Sequence, residues 1–314
     1  PIVGDKACHT PDHDVLTDRG WVSIAEVKEG DKILCHDPER GSMCYESVQE
    51  KLEYDCHEED MYEVNTQQIS LKVTMNHKMF VKTSTHSDYG LKEARELVGE
   101  ESMYRKKGFL FSDGREKGPV SCSKDLLWII GMWFGCGWAS EPDKRITLHC
   151  EDLGRLSKCL ECIERSNLPC VSRDGLFIHI YDSSLFLLLK NHSVEDERQF
   201  PGWVFELNKE DSGSFLTGYV ESHGFKCNLE LHKWIFHTVG KCLKDDVMRL
   251  SVHSGYASNY QPVTCLSKSQ DFNGLDKWKI EVSINGDEPI VNKKETCVIS
   301  GVDDKVLPYT GKVY

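Results

Sequence analysis

No stretch of this chain is apolar for long enough to cross a bilayer: the longest such run, Leu126 to Phe134, falls well short of the ~20 residues a spanning helix needs and leads into glycines. The N-terminus lacks the basic-then-apolar layout of a secretory signal. Low-complexity tracts and short internal repeats are missing too, which excludes solenoids and disordered linkers. Positive charge is in deficit, with 38 basic against 51 acidic residues, and the formal charge of −13 opposes the phosphate attraction behind non-specific nucleic-acid binding. Cysteine is the exception, with 14 residues. Without a secretory signal these read as reduced thiols of an intracellular compartment, many of them small core residues, and not as a disulfide scaffold.

The 314 residues are too many for one comfortable core and enough for two, so two domains are expected. From Cys8 to about Arg105 short strand-like runs alternate with turn signals. Val15-Leu16-Thr17, Trp21 to Ile24, Lys32 to Leu34, Met61 to Val64 and Ile69 to Val73 are separated by Asp18-Arg19-Gly20, Glu29-Gly30-Asp31 and similar clusters. Such spacing predicts an all-β domain, with short helices only around Ala25 to Lys28 and Leu91 to Leu97.

After the polar junction at Tyr104 to Gly108 the pattern becomes mixed. Ser123 to Phe134 reads as a capped, buried helix, with Ser123 as N-cap and Asp125 in the first turn. A strand at Arg145 to His149 follows, then an amphipathic helix over Glu151 to Arg165 with Leu153, Leu156, Leu160 and Ile163 on one face, a strand at Leu176 to Tyr181 and a helix at Ser184 to Lys190. A second glycine-containing helix over Ser212 to Ser222, a helix near Leu229 to Val239, and strands around Met248 to Val252 and Trp278 to Val282 make one α+β unit appear twice. Cys159 and Cys162, with Cys150 and Cys170 nearby, have zinc-like spacing, but they fall inside the amphipathic helix and are read as core residues.

The run from Cys8 through His9-Thr10-Pro11-Asp12-His13 to Ile24-Ala25-Glu26-Val27-Lys28-Glu29-Gly30-Asp31 resembles the first splicing block of inteins. Thr74-Met75-Asn76-His77 resembles the second, a Thr-x-x-His. The resemblance implies self-splicing on a β-rich, horseshoe-shaped autoprocessing (Hint) domain. In it the Cys8 thiol attacks the Ala7 carbonyl in an N–S acyl shift, His77 supplies a proton to the departing amide, and Thr74 positions or polarises the scissile bond. His9, His13 and Cys35 are read as structural.

Leu127 to Gly137 and Phe215 to Gly224 resemble the paired helices of LAGLIDADG homing endonucleases, in which Gly131, Gly135 and Gly218 permit close helix approach. That family carries an acid at each helix end to hold the divalent metals of DNA cleavage. Here those positions are Cys136 and His223, so a degenerate nuclease is expected, needing Mg²⁺ only if active. Glu221, two residues earlier, is expected to point elsewhere. Arg198-Gln199-Phe200-Pro201 and Asp287 to Asn292 look like connecting segments of the same family.

Gly4-Asp5-Lys6, one residue before the nucleophile, resembles a loop of the second-largest subunit of cellular RNA polymerases, where Lys6 would lie near the host's catalytic centre. The end at Gly311-Lys312-Val313-Tyr314 reads as a truncated lead-in to the last splicing block. Together these give a multidomain fold: host residues 1–7, a splicing domain at 8–108 resuming at 294–314, and an endonuclease-like α+β domain of two pseudo-twofold-related halves at 109–293. The expected partners are the host polypeptide in cis and, weakly, DNA. No membrane, no cofactor for splicing and a monomeric state are expected, in a reducing compartment that follows the host: nucleus, cytoplasm or a virus-encoded setting. The alternatives are an active or binding-only endonuclease, and a function belonging to the polymerase host.

Overall fold

The computed structural model describes residues 7–37, 42–66, 69–83, 85–100, 102–104, 110–111, 122–169, 171–192, 198–223, 226–228, 233–263, 276–284, 290–291 and 304–314. The chain forms two compact units: one of Pro1–Asp37, Cys44–Lys107 and Asp287–Tyr314, the other of Pro38–Met43 and Gly108–Gly286. Several small sheets and a set of helices make it a multidomain α/β protein.

The first unit is strand-built. β1 (Asp14–Thr17) and β2 (Gly20–Ser23) form a hairpin in which Thr17 faces Gly20, and the Thr17 hydroxyl donates to the Gly20 carbonyl at 2.7 Å. Gly20 has φ of +113°, a conformation that excludes most side chains and explains the Asp-Arg-Gly turn. After β3 (Lys32–Asp37) and β4 (Ser42–Ser47) comes β5 (Tyr54–Asn65), long enough to pair with two strands. β6 (Ser70–Thr74) aligns Met61 with Thr74 on one side of it. β7 (Lys78–Thr83), β8 (His86–Glu93) and β9 (Ser102–Tyr104) belong to a separate sheet.

The expected helix at Leu91–Leu97 is only α1 (Ala94–Leu97), because Leu91 is 65% exposed on a strand and only Ala94 and Leu97 pack inward. Around Ala25 there is a single 3-10 turn, Ile24–Glu26.

Besides the start of β4, the second unit holds the short strand β10 (Leu110–Phe111) and α2 (Lys124–Cys136), capped by the Ser123 hydroxyl accepting from the Leu126 amide at 3.1 Å. β11 (Gly137–Ser140), β12 (Arg145–His149), α3 (Leu153–Arg165), β13 (Val171–Asp174), β14 (Phe177–Ile180) and α4 (Ser183–Leu189) follow. Next come α5 (Lys209–Ser222), β15 (Lys226–Asn228), β16 (Lys233–Val239), α6 (Lys241–His253), β17 (Ala257–Pro262) and β18 (Lys277–Ser283). The strand orders β11-β12-β14-β13 and β15-β16-β18-β17 are the same, so helix, two strands, helix and two strands occur twice.

Two sequence expectations are corrected here. Within Leu229–Val239 the described part is strand β16, where Trp234, Phe236 and Thr238 are buried at alternate positions. Met248–Val252 belongs to α6, where Leu243, Val247 and Leu250 are buried at helical spacing. Leu153 is 69% exposed at the start of α3, off the packed face formed by Leu156, Cys159 and Ile163.

The core of this unit centres on α2 and α5, with Trp133, Phe134, Phe215 and Tyr219 fully buried. The two helices meet backbone to backbone. A Cβ at Gly131 would overlap the Phe215 carbonyl oxygen, and one at Gly218 would overlap that of Trp128. Glycine is required at both crossing points. The last strands, β19 (Ile290–Val291) and β20 (Asp304–Val313), return to the first unit. There β20 runs antiparallel to β5, from Asp304 opposite Val64 to Val313 opposite Tyr54.

Candidate functional site

Cys8 is 3% exposed, packed with Cys56, Met61 and Val313. Its position is set by strand pairing on both sides of one short segment. His9 bridges Val73 of β6, and the Thr10 amide donates to the Lys72 carbonyl at 3.2 Å. On the other side His9 and Tyr314 exchange backbone hydrogen bonds of 2.8 and 2.9 Å. The Cys8 amide donates to the Thr74 hydroxyl at 2.9 Å, and the Thr74 amide donates to the Cys8 carbonyl at 3.0 Å. Thr74 thus grips the peptide linking Ala7 to Cys8 by its nitrogen. Ala7 itself is exposed.

His77 sits one tight turn beyond Thr74, its amide donating to the Thr74 carbonyl at 3.0 Å and its carbonyl accepting from Ala94 at 2.9 Å. Burial pushes its imidazole below the usual 6.5, the Ala7 main chain, as acceptor, draws it back up, and His13 pushes it down again. The ring is therefore neutral near pH 7 and faces the residue before Cys8. Its Nδ1 is buried and has no hydrogen-bond partner among the described residues.

Two histidines read from sequence as structural also lie here. The His9 ring is 4.3 Å from that of His77, centroid to centroid, and 5.0 Å from that of His13. Burial, with His77 and His13 beside it, pushes His9 down to about 3. No local sequence pattern signals this grouping; it follows from the pairing of the Cys8 segment with β6, the strand before His77. Cys35 lies on β3, its thiol raised by burial. Lys6 lies outside the described residues.

In the second unit, the C-terminal ends of α2 and α5 border a cleft of about 630 Å³ lined by Cys136, His223, Arg198, His149, Glu151 and Lys277. The Cys136 thiol donates to the Met132 carbonyl at 3.3 Å, and burial pushes its pKa up to about 12. His223 Nδ1 lies 2.9 Å from the Tyr219 carbonyl, and burial lowers its pKa. Both groups are neutral near pH 7.

Arg198, on the segment before α5, donates to the Phe134 carbonyl at 2.9 Å and the Gly137 carbonyl at 2.6 Å, closing the end of α2. Glu151 is held by Arg155 at 2.8 Å. Glu221 accepts from Lys158 at 2.7 and 2.8 Å, so that carboxylate is taken up elsewhere.

Hard divalent cations such as Mg²⁺ require oxygen ligands, and a guanidinium at the same helix end repels them. A neutral thiol, a neutral imidazole and Arg198 do not fit that ion. Among the described residues no group of three or more His, Cys, Asp or Glu side chains is arranged to hold a metal. Cys150, Cys159 and Cys162 are buried in the apolar cluster of this unit, and Cys170 lies outside the described residues.

No protein-family model matches the chain. It is 43% identical over 298 residues to an ATP-dependent Clp protease proteolytic subunit of Chlamydomonas moewusii, covering 83% of this chain and 29% of that protein. It is 23% identical over 380 residues to the C-terminal section of a DNA-directed RNA polymerase subunit beta of Stigeoclonium helveticum, covering 100% of this chain and 35% of that one. The chain thus spans about a third of the length of the curated relatives it matches. Solved structures similar to parts of it include a bacterial intein-like domain from Clostridium thermocellum, with 26% identity, a TM-score of 0.25, and coverage of 30% of this chain and 64% of that one. The homing endonuclease I-DmoI in complex with DNA and Mn is similar at 11% identity and a TM-score of 0.33, covering 50% of this chain and 89% of that one.

Proposed function

We propose that the chain is an intein-type autoprocessing domain whose scissile bond is Ala7–Cys8. On this reading a LAGLIDADG-type unit that has lost metal-dependent DNA cleavage interrupts its β-rich horseshoe. The observation that carries the reading is the junction itself: the Cys8 amide is held by the Thr74 hydroxyl at 2.9 Å, and neutral His77 is turned to the Ala7 main chain.

In the reaction, a base takes the Cys8 thiol proton and the thiolate sulfur attacks the Ala7 carbonyl carbon. The C–N bond to Cys8 breaks and leaves a thioester plus a free Cys8 amine, which takes the proton. Neutral His77, which faces the Ala7 main chain, serves as the donor of a proton to the departing nitrogen. Thr74 fixes the amide plane by accepting from its N–H. Its contact is on the nitrogen side, so its part is positioning of the scissile amide more than direct stabilisation of the oxyanion.

The names of the relatives add support. A protease subunit and a polymerase subunit have no common activity, yet each has a minor portion similar to this chain. A self-excising element carried by different hosts explains such a distribution. The host reading here is an RNA polymerase second-largest subunit, favoured by Gly4-Asp5-Lys6 and by the Stigeoclonium match.

Incubating the purified chain with dithiothreitol tests the reading. A mass loss equal to the Pro1–Ala7 peptide, missing in Cys8→Ala, is expected; a folded sample that keeps its mass would overturn it.

A second reading, DNA binding without cleavage, is favoured by one sheet. The alternation that buries Trp234, Phe236, Ile280 and Val282 puts Lys233, His237, Lys277 and Lys279 on the opposite face, with Glu281 there paired to Lys279 at 2.7 Å. A salt-dependent gel shift on the uninterrupted host gene tests it.

A further inference from the structure

His9 is the second residue of the Cys8 segment; it lies opposite Val73, and its backbone N–H and C=O are both taken by Tyr314, at 2.8 and 2.9 Å. Its side chain occupies a slot with one rigid wall and one reactive wall. The rigid wall is His13, whose Nδ1 lies 3.0 Å from the Thr10 carbonyl while its Nε2 accepts from the Lys72 amide at 3.0 Å. With both nitrogens engaged, that ring cannot turn. The other wall is His77, met edge to face with an interplanar angle of 69°.

The His9 Nδ1 is buried with no hydrogen-bond partner among the described residues. Leaving a polar atom in that state costs about 1–3 kcal/mol, so an apolar side chain would serve better if packing alone were at stake.

We propose that His9 is a positioning residue for His77: wedged against the immobile His13 ring, it holds the His77 imidazole toward the Ala7 main chain. The inference rests on the autoprocessing reading. The titratable groups that face His9 are His77 and His13, and Asp12 lies 3.5 Å from His13. Because burial and both neighbouring rings oppose its protonation, His9 stays uncharged while His77 exchanges a proton.

The test follows thiol-induced release of the Pro1–Ala7 peptide across pH in the full chain, with Cys8→Ala as the silent control. His9→Ala should slow release about tenfold, since loss of the wedge misplaces an acid–base group. It should also move the rising limb of the pH profile upward, because His77 regains water and its pKa climbs back toward 6.5. His9→Phe keeps a flat ring in the slot and should restore the wild-type rate and profile.

An unchanged rate and profile in His9→Ala, with wild type active, overturns this inference and leaves the autoprocessing reading standing. Equal losses in His9→Ala and His9→Phe, with both melting like wild type, overturn positioning in favour of chemistry at a ring nitrogen. No release from wild type overturns the autoprocessing reading and this inference with it.

Discussion

The amide nitrogen of Cys8 and the hydroxyl of Thr74, 66 residues apart in sequence, meet at 2.9 Å in a buried position. Removing that hydroxyl leaves the junction amide without its acceptor. Thr74→Val, close in shape, should cost about 1–3 kcal/mol of stability from the orphaned N–H. It should slow thiol-induced release of Pro1–Ala7 by about a hundredfold through misplacement of the scissile amide, while Thr74→Ser retains most of the rate. Urea unfolding and timed mass spectrometry measure the two effects; release by Thr74→Val at the wild-type rate would show that the hydrogen bond is structural only.

Cys8 and the Thr74-x-x-His77 string could be singled out in the sequence because each is a local motif, and pairing of Cys8–Thr10 with β6 brings Cys8 and Thr74 together. His9 and His13 were not, since their meeting with His77 depends on strand register and no periodicity of their own announces it. In the second unit the capped and glycine-bearing helices α2 and α5 were legible from Ser123 and the glycine spacing. β16 and α6 were exchanged for each other's structure. The buried alternation of Trp234, Phe236 and Thr238, and the four- and three-residue steps of Leu243, Val247 and Leu250, emerge only when the partner surfaces are known.

Acid should weaken the first unit through its buried histidines. His9 is pushed from 6.5 to about 3, so as pH falls the unfolded chain binds this proton before the folded one does. Its contribution is complete above about pH 6.5 and is lost as pH drops from there toward about 3. His77 acts in the same direction. Thermal melts at neutral pH and near pH ~4.5 should show a smaller acid-induced fall in Tm for His9→Phe than for wild type. Identical falls would mean that His9 takes up its proton without cost in the fold.

The crossing of α2 and α5 makes a paired prediction about three glycines. Gly131→Ala and Gly218→Ala each set a methyl on a backbone carbonyl that has no rotamer to change, so each should destabilise the second unit by about 3 kcal/mol. The double variant should cost less than the sum, because the first substitution already separates the helices. Gly213 lies on α5 with only the Tyr256 hydroxyl, at 3.5 Å, near its would-be Cβ. Gly213→Ala should stabilise by up to about 1 kcal/mol through helix propensity. Denaturant midpoints decide; a loss at Gly213 matching that at Gly131 would refute the crossing as the cause.

Cys136, His223 and Arg198 together predict how the second unit meets metal ions. A thiol raised to about 12 and a buried neutral imidazole present no anionic ligand, and the guanidinium donates to the carbonyls that close α2. Purified protein should neither bind Mn²⁺, as read by water-proton relaxation, nor cut DNA carrying the uninterrupted host site in Mg²⁺. Arg198→Ala should remain inactive and lose about 2 kcal/mol of stability, since two helix-end carbonyls lose a charged donor. Replacing both end residues, Cys136→Asp with His223→Asp, supplies hard oxygen ligands and should create Mn²⁺ binding that wild type lacks. Specific double-strand cleavage by the wild-type chain would mean that carboxylates elsewhere than at the ends of α2 and α5, Glu151 of the cleft among them, assemble a working centre, and the loss of nuclease chemistry would then be wrong.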